Sequence, residues 1–331
     1  MNKREEVALQ LAVNDANVRL VEDPLGSNTP ISPSRSTIIL ISLLIGVLIP
    51  TLILTVRRLM DITVSGRHDV EEATTIPLVG ELPTWEEGGD DGLITTCSSD
   101  ASIVEAFRML RYGLNFMRHS AKVCVVTSST PGQGKSFISR NLAAIMGMAN
   151  KRVLLIDADI RKRTLSSGFG RSNGLTGWLV DGGRRLSLDE LIIKNGVSKQ
   201  VDFLPAGMLP PNPSELLMSN RLEMLIEEAR EQYDFIIIDT TPILAVSDAS
   251  IVDRVADVTL FVIRVGVQVR AFLPELEKMN KDKKYRHLCI ALNDVDVKAK
   301  YGYGYGYGYG EHDSRKSKKK LSGRLLSKLR K

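Results

Sequence analysis

The chain has 331 residues, 43% hydrophobic and 25% charged, with a formal net charge of +5. That length accommodates one full globular domain plus accessory segments. Residues 315–331 hold nine Lys or Arg and no acid, which leaves −4 for the rest and argues against a basic, nucleic-acid-binding body. Cys97, Cys124 and Cys289 are far apart and lack CxxC spacing, which argues against a disulfide framework or a zinc site.

Residues 1–35 begin in a helix-like pattern and turn loop-like through Pro24, Gly26, Pro30 and Pro33. Thirty-five residues cannot build a core. Ser36 to Val56 is an uncharged run, STIILISLLIGVLIPTLILTV. At 1.5 Å per residue it extends roughly 30 Å, one hydrocarbon thickness, and it lacks the polar stripe of a buried core helix. A transmembrane helix is expected over 36–57, with Pro50 tolerable inside it. Arg57, Arg58 and Arg67 outnumber Arg35, which places the C-terminal side in the cytosol. Residues 58–100 read as a juxtamembrane linker, with the acidic, Gly-rich EEGGDDG at 86–92.

From 101 to 295 apolar runs alternate with helical stretches. Val123–Thr127, Val153–Ile156, Phe235–Ile238, Val258–Ile263 and Leu288–Leu292 suit buried strands, while Phe137–Ala149 and Glu215–Arg230 read as helices. This alternation predicts an α/β fold, a parallel sheet with helices on both faces. Residues 296–331 form a tail: a Tyr-Gly repeat from Tyr301 to Gly310, then the basic run. Glycine at every second position prevents a packed strand or helix, so the tail is expected to be disordered.

Five features carry chemistry. Ser129-Thr-Pro-Gly-Gln-Gly134-Lys135-Ser136 stands between a predicted strand and a predicted helix, the context of a P-loop. Its glycines let backbone N–H groups surround phosphate oxygens, and the helix adds its positive end. Pro131, Gly132, Gln133, Gly134, Lys135, Ser136 and Phe137 are the expected ATP contacts. Lys135 would reach the β- and γ-phosphates and the Ser136 hydroxyl would ligate Mg²⁺. Ser129 stands where the motif usually has glycine. Second, the strand VLLI ends in Asp157 and Asp159, two carboxylates at the edge where open α/β sheets bind ligands. One can accept a hydroxyl proton while the other helps hold metal. Third, FIII ends in Asp239, a candidate Mg²⁺-side carboxylate. Fourth, Glu105, Arg108 and Arg111 fall on a different face from the stripe Ile103, Phe107, Leu110, Leu114 and Met117. Read alone they are a solvated face with i, i+3 ion pairs. Fifth, Tyr301, Tyr303, Tyr305, Tyr307 and Tyr309 lie on a glycine-flexible segment that could enter a cleft one tyrosine at a time, or serve as an inert spacer.

In this order, behind a membrane helix, these features resemble the bacterial tyrosine kinases of exopolysaccharide and capsule systems, across roughly residues 15–310. PPNPSELL at 210–217 and IPLVGELP at 76–83 also resemble family segments. The resemblance implies a P-loop kinase domain over 101–295, with Walker A at 129–136, Walker A′ at 153–161 and Walker B at 235–239. It implies Lys135, Asp157 and Asp159 as catalytic residues, Ser136, Asp159 and Asp239 around Mg²⁺, and ATP as phosphoryl donor. It implies Glu105, Arg108 and Arg111 as an oligomerisation motif, and Tyr301 to Tyr309 as phospho-acceptors entering a neighbour's site in a homo-oligomeric ring. Implied partners are polysaccharide polymerisation and export machinery and a cognate tyrosine phosphatase, at the bacterial inner membrane. The sequence departs from the family in two places. Thr241 replaces the first proline of Asp-x-Pro-Pro. Long members also have an earlier membrane helix and a large extracytoplasmic domain, whose end NVRLVEDP…PISP resembles, so a fragment or a split-gene product is expected.

The basic tail has three readings: binding to anionic membrane lipid, a clamp on phosphorylated tyrosines, or a solvated end. Two other functions are less consistent with the sequence. A partition-type ATPase often has an extra lysine early in the loop, which Ser128 to Gln133 lacks, and the membrane run and tyrosines also count against it. A non-catalytic scaffold is disfavoured by the intact Lys135, Ser136, Asp157, Asp159 and Asp239.

Overall fold

The computed structural model describes residues 4, 7–8, 34–85, 93–94, 101–118, 120–169 and 173–296. Cys97 and Tyr301 to Tyr309, together with the basic run, lie outside them. The chain divides into two units, Met1–Asp61 and Ile62–Lys331.

Among its described residues the first unit holds helix α1 (Arg35–Met60), with Pro50 inside it. Residues 35–57 have a mean hydropathy of 2.8, and Ile39, Leu43 and Leu54 are each more than 60% exposed. An apolar helix exposed on all sides suits lipid rather than a protein core.

The second unit runs α2 (Arg67–Ala73), β1 (Leu78–Pro83), α3 (Ala101–Met117), β2 (Val123–Ser128), α4 (Lys135–Met148) and β3 (Val153–Asp157). It continues with α5 (Leu175–Asp181), α6 (Leu188–Leu191), β4 (Ile193–Ser198), β5 (Val201–Leu204), α7 (Pro213–Met218), α8 (Arg221–Gln232) and β6 (Phe235–Asp239). It closes with α9 (Asp248–Val252), β7 (Val258–Arg264), α10 (Leu273–Lys281) and β8 (Leu288–Val295).

The eight strands form one sheet in the order β1-β8-β7-β2-β6-β3-β5-β4. Every pairing is parallel except β4 with β5. Strands β2, β3 and β6 are buried along their whole length, as expected of continuous apolar runs covered on both faces. Alternate residues serve the two faces. Cys124, Val126, Val153 and Leu155 pack with Phe107, Leu110 and Leu142 of α3 and α4. Val123, Val125, Leu154 and Ile156 pack with Leu222, Leu225 and Ile226 of α8. The predicted stripe of α3 is the buried one: Ile103, Phe107, Leu110 and Leu114 are each at most 1% exposed.

Two segments differ from the sequence reading. The stretch 62–85, read within a linker, forms α2 and β1, and β1 pairs in parallel with the last strand, Leu78 opposite Ile290. Gly113 permits this. A Cβ there would stand 2.5 Å from the Val79 carbonyl oxygen, so only glycine lets α3 lie so close to β1. The predicted helix 215–230 is two helices, α7 and α8, broken around Ser219, whose backbone is extended.

Candidate active site

Parallel topology gathers the carboxyl ends of β2, β3, β6, β7 and β8 along one edge. Between β2 and α4 the chain makes the predicted phosphate loop. Gly134 has φ of 94°, a left-handed conformation that a side chain would strain, and it turns the chain directly into α4. Pro131, Gly132, Gly134, Lys135, Ser136 and Phe137 line an open cleft, joined across it by Asp159, Lys162, Thr164 and Pro242. Gln133, whose backbone belongs to the expected nucleotide contacts, turns its side chain into the protein, where it is buried. Its Oε1 accepts the Arg264 backbone N–H at 2.6 Å and its Nε2 donates to the Thr130 hydroxyl at 3.0 Å.

Registration of β3 with β6 sets Asp157 beside Asp239, both fully buried. Ser136 donates its hydroxyl to Asp239 at 2.6 Å, and Ser139 donates to the other oxygen at 3.1 Å. Burial pushes the Asp239 carboxyl up to about 6, against the stabilising pull of Lys135 and the two serines. The Asp157 carboxyl is pushed up to about 7, first by burial and then by the neighbouring Asp239. One Asp157 oxygen accepts the backbone N–H and hydroxyl of Ser166, at 3.0 and 2.6 Å, while the other has no hydrogen-bond partner among the described residues. The Thr241 hydroxyl, at the departure from the family pattern, is also buried without a hydrogen-bond partner among the described residues. Asp159 accepts the Lys162 backbone N–H at 3.0 Å.

The arrangement fits a nucleotide and its metal. Lys135 is a 7%-exposed ammonium at the mouth of the loop, and Ser136 and Asp239 are hard oxygen donors already aligned on each other. Asp159 supplies a third oxygen group on the cleft wall. Magnesium held with nucleotide needs only one or two carboxylates, since phosphates and water complete its shell.

Residues 121–281 match a family model described as an AAA domain. The chain is 34% identical over 304 residues to a putative tyrosine-protein kinase EpsB of Ralstonia solanacearum, covering 85% of this chain and 40% of that protein. It is 34% identical over 286 residues to the tyrosine-protein kinase wzc of Salmonella typhimurium, covering 81% of this chain and 39% of that protein. The kinase domain of Escherichia coli tyrosine kinase ETK superposes with a TM-score of 0.62 at 31% identity, covering 73% of this chain and 98% of that domain. The chain belongs to the bacterial tyrosine kinase family. It spans about two fifths of the length of the curated family members it matches (40% of EpsB).

Glu105, Arg108 and Arg111, expected from the resemblance to serve oligomerisation, do not form one uniform patch. Glu105 and Arg108 form an exposed pair at 3.0 Å, but Arg111 turns toward α4 and donates to the Ile145 carbonyl at 3.2 Å. Beside the pair, Met109, Tyr112 and Phe116 are exposed on the same helix.

Sequence reasoning did not reach Ser166, Lys162, Thr164, Arg264, Gln268 or Asn293. Asn293 donates to the Gln133 carbonyl at 2.9 Å, and Arg264 donates to the Gly132 carbonyl at 3.2 Å. Only one signal pointed to these two. Arg264 immediately follows, and Asn293 immediately follows, a predicted strand on the ligand-binding edge.

Proposed function

We propose that this chain is a membrane-anchored protein-tyrosine autokinase. It transfers the γ-phosphate of ATP to tyrosines in the C-terminal tails of neighbouring subunits, and so regulates exopolysaccharide or capsule polymerisation and export. The observation that carries the reading is the partnerless, raised Asp157 carboxyl one strand from the Ser136–Asp239 pair, next to a lysine-bearing phosphate loop. A carboxylate with an affinity for protons near neutrality is matched to taking a hydroxyl proton.

In this reading the backbone N–H groups of 131–136 and Lys135 hold the phosphates. Ser136, Asp159 and Asp239 hold magnesium, which supplies charge neutralisation on the transferring phosphoryl group. Asp157 orients the tyrosine hydroxyl and takes its proton. Because that carboxyl is fully buried, delivery of the hydroxyl requires the segment carrying Ser166 to yield. Tyr301 to Tyr309 are the acceptors, and Glu105, Arg108 and Arg111 bring one subunit to the next in a ring. Each phosphate adds roughly −1.5 to −2 charges, so successive transfers would repel one another and drive the tail out. Helix α1 is the anchor in the inner membrane, with the second unit in the cytosol. The polymerisation and export machinery and a tyrosine phosphatase are the partners this reading implies. The basic tail is assigned to anionic lipid at the same membrane.

The test is incubation of the full chain in detergent with labelled ATP and Mg²⁺, followed by mass spectrometry of the tail. Phosphate on Tyr301 to Tyr309, abolished by Lys135→Met, is the expected result. Hydrolysis of ATP with an unlabelled tail would replace the kinase reading with an ATPase switch.

A further inference from the structure

Ser129 occupies the first position of the phosphate loop, where such loops usually carry glycine, and its side chain is fully buried. Its hydroxyl donates to Oε1 of Gln268, in the loop after β7. The same oxygen accepts Nε2 of Gln133 at 3.4 Å, and the Gln268 amide donates to the Val269 carbonyl at 3.2 Å. Gln268 is 4% exposed, so an amide that costs free energy to bury has been placed against two residues of the loop.

The backbone of Gln268 faces the other way. Its carbonyl accepts the Val64 N–H at 2.7 Å, and the Gly266 N–H returns to the Val64 carbonyl at 2.9 Å. Thr63 and Val269 form an antiparallel bridge, and the Arg270 N–H bonds to the Ile62 carbonyl at 2.8 Å. The Arg270 guanidinium then clasps this strap, donating to the Thr63 carbonyl at 2.6 Å and the Ser65 hydroxyl at 2.7 Å and pairing with Asp69 at 3.1 Å. Residues 62–65 follow α1 directly in the chain. A single residue therefore bonds the phosphate loop through its side chain and the juxtamembrane strap through its main chain.

We infer that Gln268 is a positioning residue for the nucleotide loop, and that through it the strap 62–65 sets the affinity of the loop for ATP. The inference rests on the nucleotide-binding part of the proposed function. It does not need tyrosine to be the acceptor. Two buried hydrogen bonds hold Ser129 and Gln133 in place, and loosening either lets the loop sample conformations that bind phosphate poorly.

The experiment uses the full chain in detergent. ATP affinity is measured by calorimetry, KM and kcat by tail labelling, and amide exchange at 62–65 and 129–136 by mass spectrometry. Ser129→Ala and Gln268→Met should each weaken ATP binding and raise KM about fivefold, what one ordinary hydrogen bond supplies, with kcat unchanged. The double variant should be no worse than Gln268→Met alone, because that substitution already removes the Ser129 contact. Arg270→Ala, which removes side-chain contacts to the strap and to Asp69 and none to the loop, should speed exchange at 62–65 and also at 129–136. Wild-type ATP affinity in both single variants, additive losses in the double variant, or faster exchange confined to 62–65 would overturn the inference. If the wild type labels no tyrosine, the kinase reading fails, while affinity and exchange still decide the role of Gln268. If labelling is normal and the variants bind ATP as the wild type does, only the role of Gln268 fails.

Discussion

Replacing Asp157 with asparagine should make the nucleotide-free protein more stable above neutral pH and, at the same time, inactive. The Asp157 carboxyl is raised from 3.8 to about 7 by burial and by Asp239, its register partner on β6. The folded state therefore holds a proton that the unfolded chain releases near pH 4. Stability falls as pH rises through the window from about 4 to about 7, and the full penalty is present above it. At about 1.4 kcal/mol per unit the upper bound is roughly 4 kcal/mol. Part of the Asp157 shift comes from Asp239, a carboxyl that burial itself raises to about 6 and so leaves only partly charged near neutrality; replacing Asp157 should therefore recover about 2 kcal/mol rather than the full bound. The asparagine oxygen can keep accepting from Ser166, which preserves the local geometry. For a domain of this size about 2 kcal/mol corresponds to a rise in Tm of about 4–8 °C. The assay is thermal unfolding of Asp157→Asn and wild type in EDTA without nucleotide, at pH 8 and pH 4.5. A large gain at pH 8 that mostly disappears at pH 4.5 is expected, with tail labelling down by about 10²-fold or more. An equal Tm difference at both pH values, or a loss of stability at pH 8, would refute the electrostatic account.

Three further perturbations test other parts of the site and fold. Gly134→Ala places a Cβ against the Asn293 amide at a φ of 94°; ATP affinity by calorimetry should fall at least about tenfold, since strain of this kind costs roughly 1–3 kcal/mol. Leu82→Ala empties a fully buried position on β1; a loss of about 2–5 kcal/mol from denaturant unfolding is expected, whereas a detachable linker would lose almost nothing. Glu105→Ala with Arg108→Ala and Arg111→Ala should leave ATP affinity within about twofold, because exposed ion pairs contribute little to the fold. Labelling of the tail at low protein concentration should nevertheless drop, and unchanged labelling there would count against transfer between subunits.

The five strands read from apolar runs all lie in the sheet, each within three residues of its expected end, because a strand buried on both faces needs no partner to be recognised. The phosphate loop was legible for a related reason. Its glycines, lysine and serine must be contiguous to wrap a phosphate, so the chemistry is written in one short segment. The acidic residues were legible as strand ends. Their consequence was not: Asp157 and Asp239 are 82 positions apart, and only the parallel register of β3 with β6 sets Asp239 where it raises Asp157.

What the sequence by itself determined is the local grammar: an apolar helix long enough for a bilayer, a parallel α/β pattern, a phosphate loop and two acidic strand ends. Each of these depends on residues a few positions apart. What the tertiary structure alone decided depends on pairs far apart in the chain. Strand β1 reads poorly because it is only half-buried, and its partner in the sheet is β8, from which more than two hundred residues separate it. Gln268 carries no motif, and it has meaning only because its side chain meets Ser129 and its main chain meets Val64. Such contacts are set by how the sheet closes and by the need to satisfy every buried polar group, a condition on the whole fold rather than on any segment of it.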